Sequence, residues 1–302
     1  MAEVIASPAV RALAARRGVD LDALAARLGR TTLAREDVEG ADTGTGAGAA
    51  PGGGDPRAHW ASYWAVDHAQ YGPVTEEPMS RMAQVGARNL AAANALIPQV
   101  THHDTADVRA IEAFRASLKR EAAAKGLRLT ALAFHVKALA ACLRDHPRFN
   151  ASLSADGTAL ILKHYVHVGI AVDTPHGLVV PVIRDADRKG LWGIAAEITA
   201  LAARAQARKT RPDDLGGASM TITNLGGIGG TAFTPIVNPP ELAILGITRT
   251  EIRPAWDGTA FQPVPTVPLD LSYDHRVING ADAARFLANY ANIIAEPRMM
   301  MI

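Results

Sequence analysis

Leu269-Asp-Leu-Ser-Tyr-Asp274-His275-Arg-Val-Ile-Asn279-Gly280-Ala-Asp282 decides how the rest of the chain is read. The run that leads into it, Pro265 to Tyr273, is short, β-prone and partly alternating, which predicts a strand. Gly280 ends the turn that follows. From Ala281 to Ala295 apolar residues recur at helical spacing (Ala284, Phe286, Leu287, Tyr290, Ile293, Ile294), with Asp282 placed to cap the first turn. His275 is therefore expected at the tip of a strand, before a tight turn into a helix, on a rigid mount. An imidazole titrates near neutral pH, so it can take a proton from a thiol or hydroxyl and return it. A lone histidine at a strand end is as a rule structural; only its surroundings give it a chemical reading.

Composition sets bounds. The 302 residues suffice for one large domain and a small one, and 48% hydrophobic residues suffice for a real core. Net charge is +1, from 31 basic and 30 acidic residues, which calls for neither nucleic acid nor an anionic membrane. The single cysteine, Cys142, excludes an internal disulfide framework, and its apolar helical setting predicts a buried, inert thiol. No signal peptide and no apolar run of spanning length is present, so a cytoplasmic enzyme or assembly subunit is expected.

The chain divides by composition. Residues 4–40 read as a small helical module: Ser7 caps a helix that has Pro8 at its first position, Ala9 to Arg17 continues it, Gly18 ends it, and Asp37 and Val38 lie in a second helical segment. Residues 41–57 are a Gly/Ala-rich linker, and the aromatic stretch from His59 to Tyr71 (Trp60, Tyr63, Trp64) reads as an arm that packs on the core. Beyond it, helices are expected over Asp107–Ala124, Thr130–Asp145 and Leu191–Arg208. Strands are expected over Ile161–Val172, Leu178–Ile183, Met220–Asn224 and Leu242–Thr248. That interleaving argues for a mixed sheet covered by helices. His164 and His167 are three apart on a predicted strand and His102 and His103 are adjacent, so neither pair shares a metal ion. Gly226-Gly-Ile-Gly229-Gly230 lacks the lysine and spacing of a phosphate loop and reads as a turn or a close backbone approach.

Asp274-His275-Arg276-Val-Ile-Asn279-Gly280 resembles the active-site motif of the dihydrolipoamide acyltransferases of 2-oxo acid dehydrogenase complexes, usually Asp-His-Arg-x-x-Asp-Gly. Ordered matches run through Ile97-Pro-Gln-Val-Thr-His-His-Asp104, Pro147-Arg-Phe-Asn150, Gly169-Ile-Ala-Val-Asp173-Thr-Pro-His-Gly177, Thr221-Ile-Thr223-Asn224 and Asn238-Pro-Pro-Glu241. The bacterial pyruvate dehydrogenase type is the nearest. The resemblance implies an α/β (α+β), chloramphenicol-acetyltransferase-like catalytic core over 66–302. It also implies a peripheral subunit-binding domain over 4–40, carried by Ser7-Pro-Ala-Val-Arg11, Gly18-Val-Asp-Leu21 and Arg35-Glu-Asp-Val38. That domain would hold dihydrolipoamide dehydrogenase or the decarboxylase subunit through basic residues, Arg11 among them. Its middle, Ala26 to Thr32, departs from the family's glycine-rich loop, with Arg27 and Arg30 as stand-in charges.

The implied reaction moves an acyl group, acetyl in the nearest type, between a dihydrolipoyl thioester and coenzyme A, without a metal. His275 takes the role of base. Thr223 stands where relatives carry a serine that donates to the tetrahedral oxyanion. Asn279 stands where the family has an aspartate held in a salt bridge; it keeps the size and loses the charge. Ala91-Ala92-Ala93 stand where relatives often have a basic partner. In the family, base and hydroxyl come from neighbouring subunits of a homotrimer that assembles into a larger core. No lipoyl domain is found, so the lipoyl arm is expected in trans or from a missing N-terminal part. The apolar tail Met299 to Ile302 is expected to pack into a neighbouring trimer. Two alternatives stand beside an active acyltransferase: a non-catalytic scaffold and docking subunit, and a coenzyme A-dependent enzyme with a small-molecule acceptor.

Overall fold

A computed structural model describes residues 4–41 and 65–301. The chain forms two compact units that divide between Glu76 and Glu77. Residues 42–57 of the expected linker lie outside the described residues, as do Trp60, Tyr63 and Trp64 of the expected arm.

The first unit contains β1 (Ile5–Ala6), α1 (Pro8–Arg17), α2 (Leu21–Leu28), β2 (Thr32–Leu33) and α3 (Arg35–Ala41). Ser7 Oγ accepts the Val10 N–H at 3.4 Å, and Gly18 ends α1 in the left-handed region at φ 67°. Where the sequence suggested a divergent loop from Ala26, α2 continues to Leu28. Asp20 starts it by accepting the Asp22 and Ala23 N–H groups. Ala41 belongs to α3, not to the linker. Val4, Val10, Ala14, Leu24, Leu33 and Val38 form a core of their own, and β1 and β2 pair in parallel.

The second unit contains α4 (Arg81–Leu96), β3 (Gln99–Asp107), α5 (Arg109–Ser117), α6 (Lys119–Ala124), α7 (Ala131–Asp145), β4 (Ala151–Leu153), β5 (Leu160–Leu162) and β6 (Val168–Ile170). It continues through β7 (Val172–Thr174), β8 (Gly177–Val179), β9 (Val182–Ile183), α8 (Leu191–Gln206), β10 (Met220–Asn224), β11 (Ala243–Ile247), β12 (Glu251–Trp256), β13 (Phe261–Asp274) and α9 (Gly280–Ala295). The main sheet has the order β12-β13-β11-β10-β6-β9, with β3 along the other side of β13. β10 runs parallel to both neighbours, whereas β13 is antiparallel to β3, β11 and β12.

Alternation gives this sheet two unlike faces. Val267, Leu269, Leu271 and Tyr273 of β13, with Met220 and Ile222 of β10, join the core beneath α7 and α9. The residues between them, Thr221, Thr223, Asp270, Ser272 and Asp274, lie on the other face. Helices α7 and α9 are tied by His135, whose Nδ1 lies 2.7 Å from the Tyr290 hydroxyl. Cys142 is buried in α7, and burial pushes its thiol up, as an inert cysteine requires.

Several expected boundaries shift. The strand expected over 161–172 is three short ones, because Asn150 and Ser219 take its backbone groups. Asn150 Nδ2 donates to the Lys163 and Tyr165 carbonyls, and Ser219 Oγ accepts the His167 N–H. His164 and His167 thus lie between strands and the alternation argument does not apply to them. His167 Nδ1 instead accepts the Asp185 N–H at 3.0 Å. Among the described residues no three His, Cys, Asp or Glu side chains gather as metal ligands would. Asp107 closes β3, and the helix after it breaks at Leu118. The C-terminal residues form a 3-10 turn, Pro297–Met301, in which Met300 is buried in the core and Met299 is exposed. No described helix is long and apolar enough to cross a membrane.

Burial lowers the His135 pKa from 6.5 to about 4. A base with a depressed folded-state pKa binds fewer protons folded than unfolded, so acid favours unfolding. Stability is expected to fall as pH drops from 6.5 through about 4, by about 3 kcal/mol for this group. His135→Gln should flatten the pH dependence of the unfolding midpoint across that window.

Candidate active site

β13 ends at Asp274, and the chain then turns through residues 275–279 into α9. Asp274 is buried and makes the turn. Its carboxylate accepts the Arg276 N–H at 3.0 Å and a two-pronged bond from the Arg276 guanidinium, with Nη2 at 2.7 Å. The pairing raises the Arg276 pKa, chiefly through that hydrogen bond. Val277 and Ile278 N–H both donate to the Asp274 carbonyl, and Ile278 is buried beneath the turn.

His275 is exposed at the tip. Its N–H donates to the Pro98 carbonyl at 3.1 Å, tying the backbone to the start of β3, and its ring lies 5.7 Å from that of buried Tyr273. Among the described residues the imidazole nitrogens have no hydrogen-bond partner, so the ring is held by its backbone and open to a reactant. Asn279, not Asp282, is the first residue of the α9 cap. Its carbonyl accepts the Asp282 and Ala283 N–H groups while its side chain makes no cap bond and is exposed. Asp282 sits in the first turn and pairs with Arg285 at 3.0 Å.

Thr223 lies elsewhere. On β10 it is opposite Gly246 of β11, which is opposite Asp270 of β13. Asp270 precedes His275 by five residues, roughly 15 Å of strand, and β13 lies two strands, roughly 10 Å, from β10. One chain therefore brings His275 and Asn279 together and leaves Thr223 remote from both. The Thr223 hydroxyl has no partner among the described residues.

Two groups at the turn's flank were not singled out from sequence. A cavity of about 400 Å³ is lined by Ile97, Ser154, Pro240, Glu241, Asp274 and Arg276, among others. Glu241 is buried, and desolvation pushes its pKa up to about 6 despite hydrogen bonds to Oε1 from Thr221 (2.9 Å) and Asn238 (3.2 Å). Its Oε2 is buried without a partner. The Asn238-Pro-Pro-Glu241 run was visible, but the burial of its carboxylate is a tertiary fact. Asp274 stood in the quoted motif, yet only the fold shows that it builds the turn.

In the first unit, Arg11 spends its guanidinium on its own chain: Nη2 donates to the Val4 carbonyl at 2.7 Å and Nε to Ala6 at 3.3 Å. Arg30 pairs with Asp37.

The model of the 2-oxoacid dehydrogenases acyltransferase catalytic domain matches residues 71–302. The chain belongs to this family. It is 47% identical, over its full length, to the dihydrolipoyllysine-residue acetyltransferase components of pyruvate dehydrogenase complexes from Azotobacter vinelandii and Pseudomonas aeruginosa, of which it covers 48% and 55%. The chain thus spans about half the length of these curated relatives. Two solved structures share its fold at TM-score 0.77, each covering 78% of this chain and 98% of its own. One, 51% identical, is the cubic core of a pyruvate dehydrogenase multienzyme complex. The other, 50% identical, is the A. vinelandii dihydrolipoamide acetyltransferase, solved to define the catalytic roles of a serine, a histidine and an asparagine. The family's mixed sheet with covering helices is therefore the fold found here. Asparagine four positions after the histidine occurs in that relative too, so Asn279 is no peculiarity of this chain.

Removing Asp274 orphans a backbone N–H and releases Arg276. Asp274→Ala should lower stability by about 1–3 kcal/mol in denaturant unfolding. Asp274→Asn, which keeps the bond to the Arg276 N–H, should cost less.

Proposed function

We propose that this chain is a dihydrolipoamide acetyltransferase of a pyruvate dehydrogenase complex, with His275, Asn279 and Thr223 as its catalytic residues. The observation that carries the reading is one of spacing. The serine, histidine and asparagine of the A. vinelandii enzyme are separated by 52 and 4 positions, as are Thr223, His275 and Asn279. An exposed imidazole on a backbone-tied turn supports the role of base.

The thiol of coenzyme A gives its proton to the His275 imidazole, and its sulfur attacks the acetyl carbonyl of the dihydrolipoyl thioester. A carbon–sulfur bond forms and the carbonyl oxygen becomes an oxyanion, to which the Thr223 hydroxyl donates. Collapse breaks the bond to the lipoyl sulfur, which takes the proton back from His275. Asn279, with its side chain free at the mouth of the same turn, hydrogen-bonds within the site without adding charge. The lipoyl group arrives on a carrier domain. Because Thr223 and His275 lie far apart in one chain, each site is completed by a second copy, in a trimer that assembles further. Residues 4–40 dock dihydrolipoamide dehydrogenase or the decarboxylase subunit. With Arg11 engaged on its own backbone, exposed Arg27 is the better placed of the two for an acidic partner surface.

Acetyl transfer from acetyl-coenzyme A to free dihydrolipoamide tests the reading. Turnover should fall by at least about a thousandfold in His275→Ala, on the scale of losing a general base. An assembled protein that never turns over would instead mark a scaffold, and turnover only with another acceptor a different acyltransferase.

A further inference from the structure

The polar face of the sheet carries a hydrogen-bonded histidine–aspartate pair that the reaction above does not use. His103 of β3 and Asp270 of β13 are opposite in register, and His103 Nδ1 lies 2.6 Å from Asp270 Oδ1. The Asp270 side chain is 1% exposed and that of His103 49%. A buried carboxylate without a compensating partner costs several kcal/mol, and here an imidazole reachable from solvent compensates it. The other oxygen, Oδ2, accepts the Phe233 N–H at 3.3 Å.

Register extends this pair toward the candidate site. Thr223, Gly246, Asp270 and His103 form one row across four strands, on one face. Gly246 leaves a gap in the row, and the Phe233 ring fills it: a Cβ at Gly246 would lie 2.7 Å from two of its ring carbons. The ring therefore stands over the strand next to Thr223, on the face that the hydroxyl occupies. Between Thr223 and Phe233 runs Asn224-Leu-Gly-Gly-Ile-Gly-Gly-Thr-Ala232, with Gly230 at φ 88°. Four glycines give this loop little stiffness of its own. It is pinned near its start by the Leu225 N–H on the Ile247 carbonyl (2.8 Å), and toward its far end by Thr248 Oγ1 on the Thr231 carbonyl (3.3 Å) and by Phe233. A cavity of about 430 Å³ lies against His103, Thr101 and Ser272. The imidazole has room to swing away, so the hydrogen bond to Asp270, not tight packing, holds it in place.

We propose that His103 and Asp270 are positioning residues: the pair latches Phe233, and through it the glycine-rich loop, beside the Thr223 hydroxyl. The inference rests on the reading of Thr223 as the oxyanion donor. Replacing His103 by an apolar residue strands the Asp270 carboxylate, which then turns toward solvent and releases the Phe233 N–H.

Amide hydrogen exchange of residues 225–236 and steady-state acetyl transfer, both on the assembled protein, test it. In His103→Leu the loop should exchange about tenfold faster, and kcat should fall about tenfold with little change in KM for coenzyme A, as expected for an interaction made in the transition state. Asp270→Asn can accept from Phe233 and donate to a neutral imidazole, so it should stay within about threefold of wild type on both readouts. Adding His103→Leu to Thr223→Ala should cost nothing further, because coupled residues are not additive. Unchanged exchange in His103→Leu, or faster exchange with normal kcat, would overturn the latch. So would the same tenfold loss in the Thr223→Ala background. If Thr223→Ala itself keeps wild-type turnover, the oxyanion reading fails, while the exchange measurement still judges whether the pair holds the loop.

Discussion

Strand β13 is the constraint on which the second unit depends. It is hydrogen-bonded on both sides, to β3 on one and to β11 and then β12 on the other. Its register fixes where every other group can stand. Shifting it by one residue would turn Leu269, Leu271 and Tyr273 out of the core and bury Asp270, Ser272 and Asp274 among the helices, so the pairing has no near-degenerate alternative. Because β13 is held along its length, its last residue is held too, and the turn that carries His275 inherits that rigidity. Asp274 completes the device by binding the first residues of the turn from below.

The same strand explains why the polar face is demanding. Asp270 and Asp274 are each about 1% exposed, and Glu241 is buried beside them. Each has a different remedy. Asp274 has a guanidinium fork, Asp270 an imidazole and a backbone N–H, and Glu241 only neutral donors, with a pKa pushed up to about 6. Buried polar groups that are fully satisfied specify one arrangement, and those that are partly satisfied mark places where function competes with stability. Glu241, with one oxygen unpartnered, belongs to the second kind. The apolar face has no such tension: Phe149 and Phe286 stack at 4.1 Å between ring centres, and burying each such ring is worth about 2 kcal/mol.

Much of this was legible in the sequence. The alternation before His275, the apolar spacing after Gly280 and the buried character of 130–145 are local patterns, and they gave the strand, the terminal helix and α7. Ser7, Pro8 and Gly18 are caps whose chemistry acts within one turn, so they too were readable. What failed was non-local. The stretch 161–172 has the composition of a strand, but Asn150 and Ser219 claim its backbone groups. Asp282 has the chemistry of a cap, but the helix starts two residues earlier, with Asn279 at the cap. For the site, the motif supplied His275 and Asn279 together. That Thr223 lies two strands away from them follows only from register, which periodicity does not encode, and the hydrogen bond of His103 with Asp270 joins positions that are distant in sequence.

The central claim is that a working site draws His275 and Thr223 from different copies of the chain. Mixed reassembly measures this directly. Thr223→Ala and His275→Ala subunits are unfolded together, refolded at a one-to-one ratio and assayed for acetyl transfer beside each variant alone. If neighbours complete each other's sites, random pairing restores about one quarter of wild-type activity from two nearly inactive parents. If both residues served one chain, no mixture would contain an intact site, and activity no higher than that of the parents would contradict the claim.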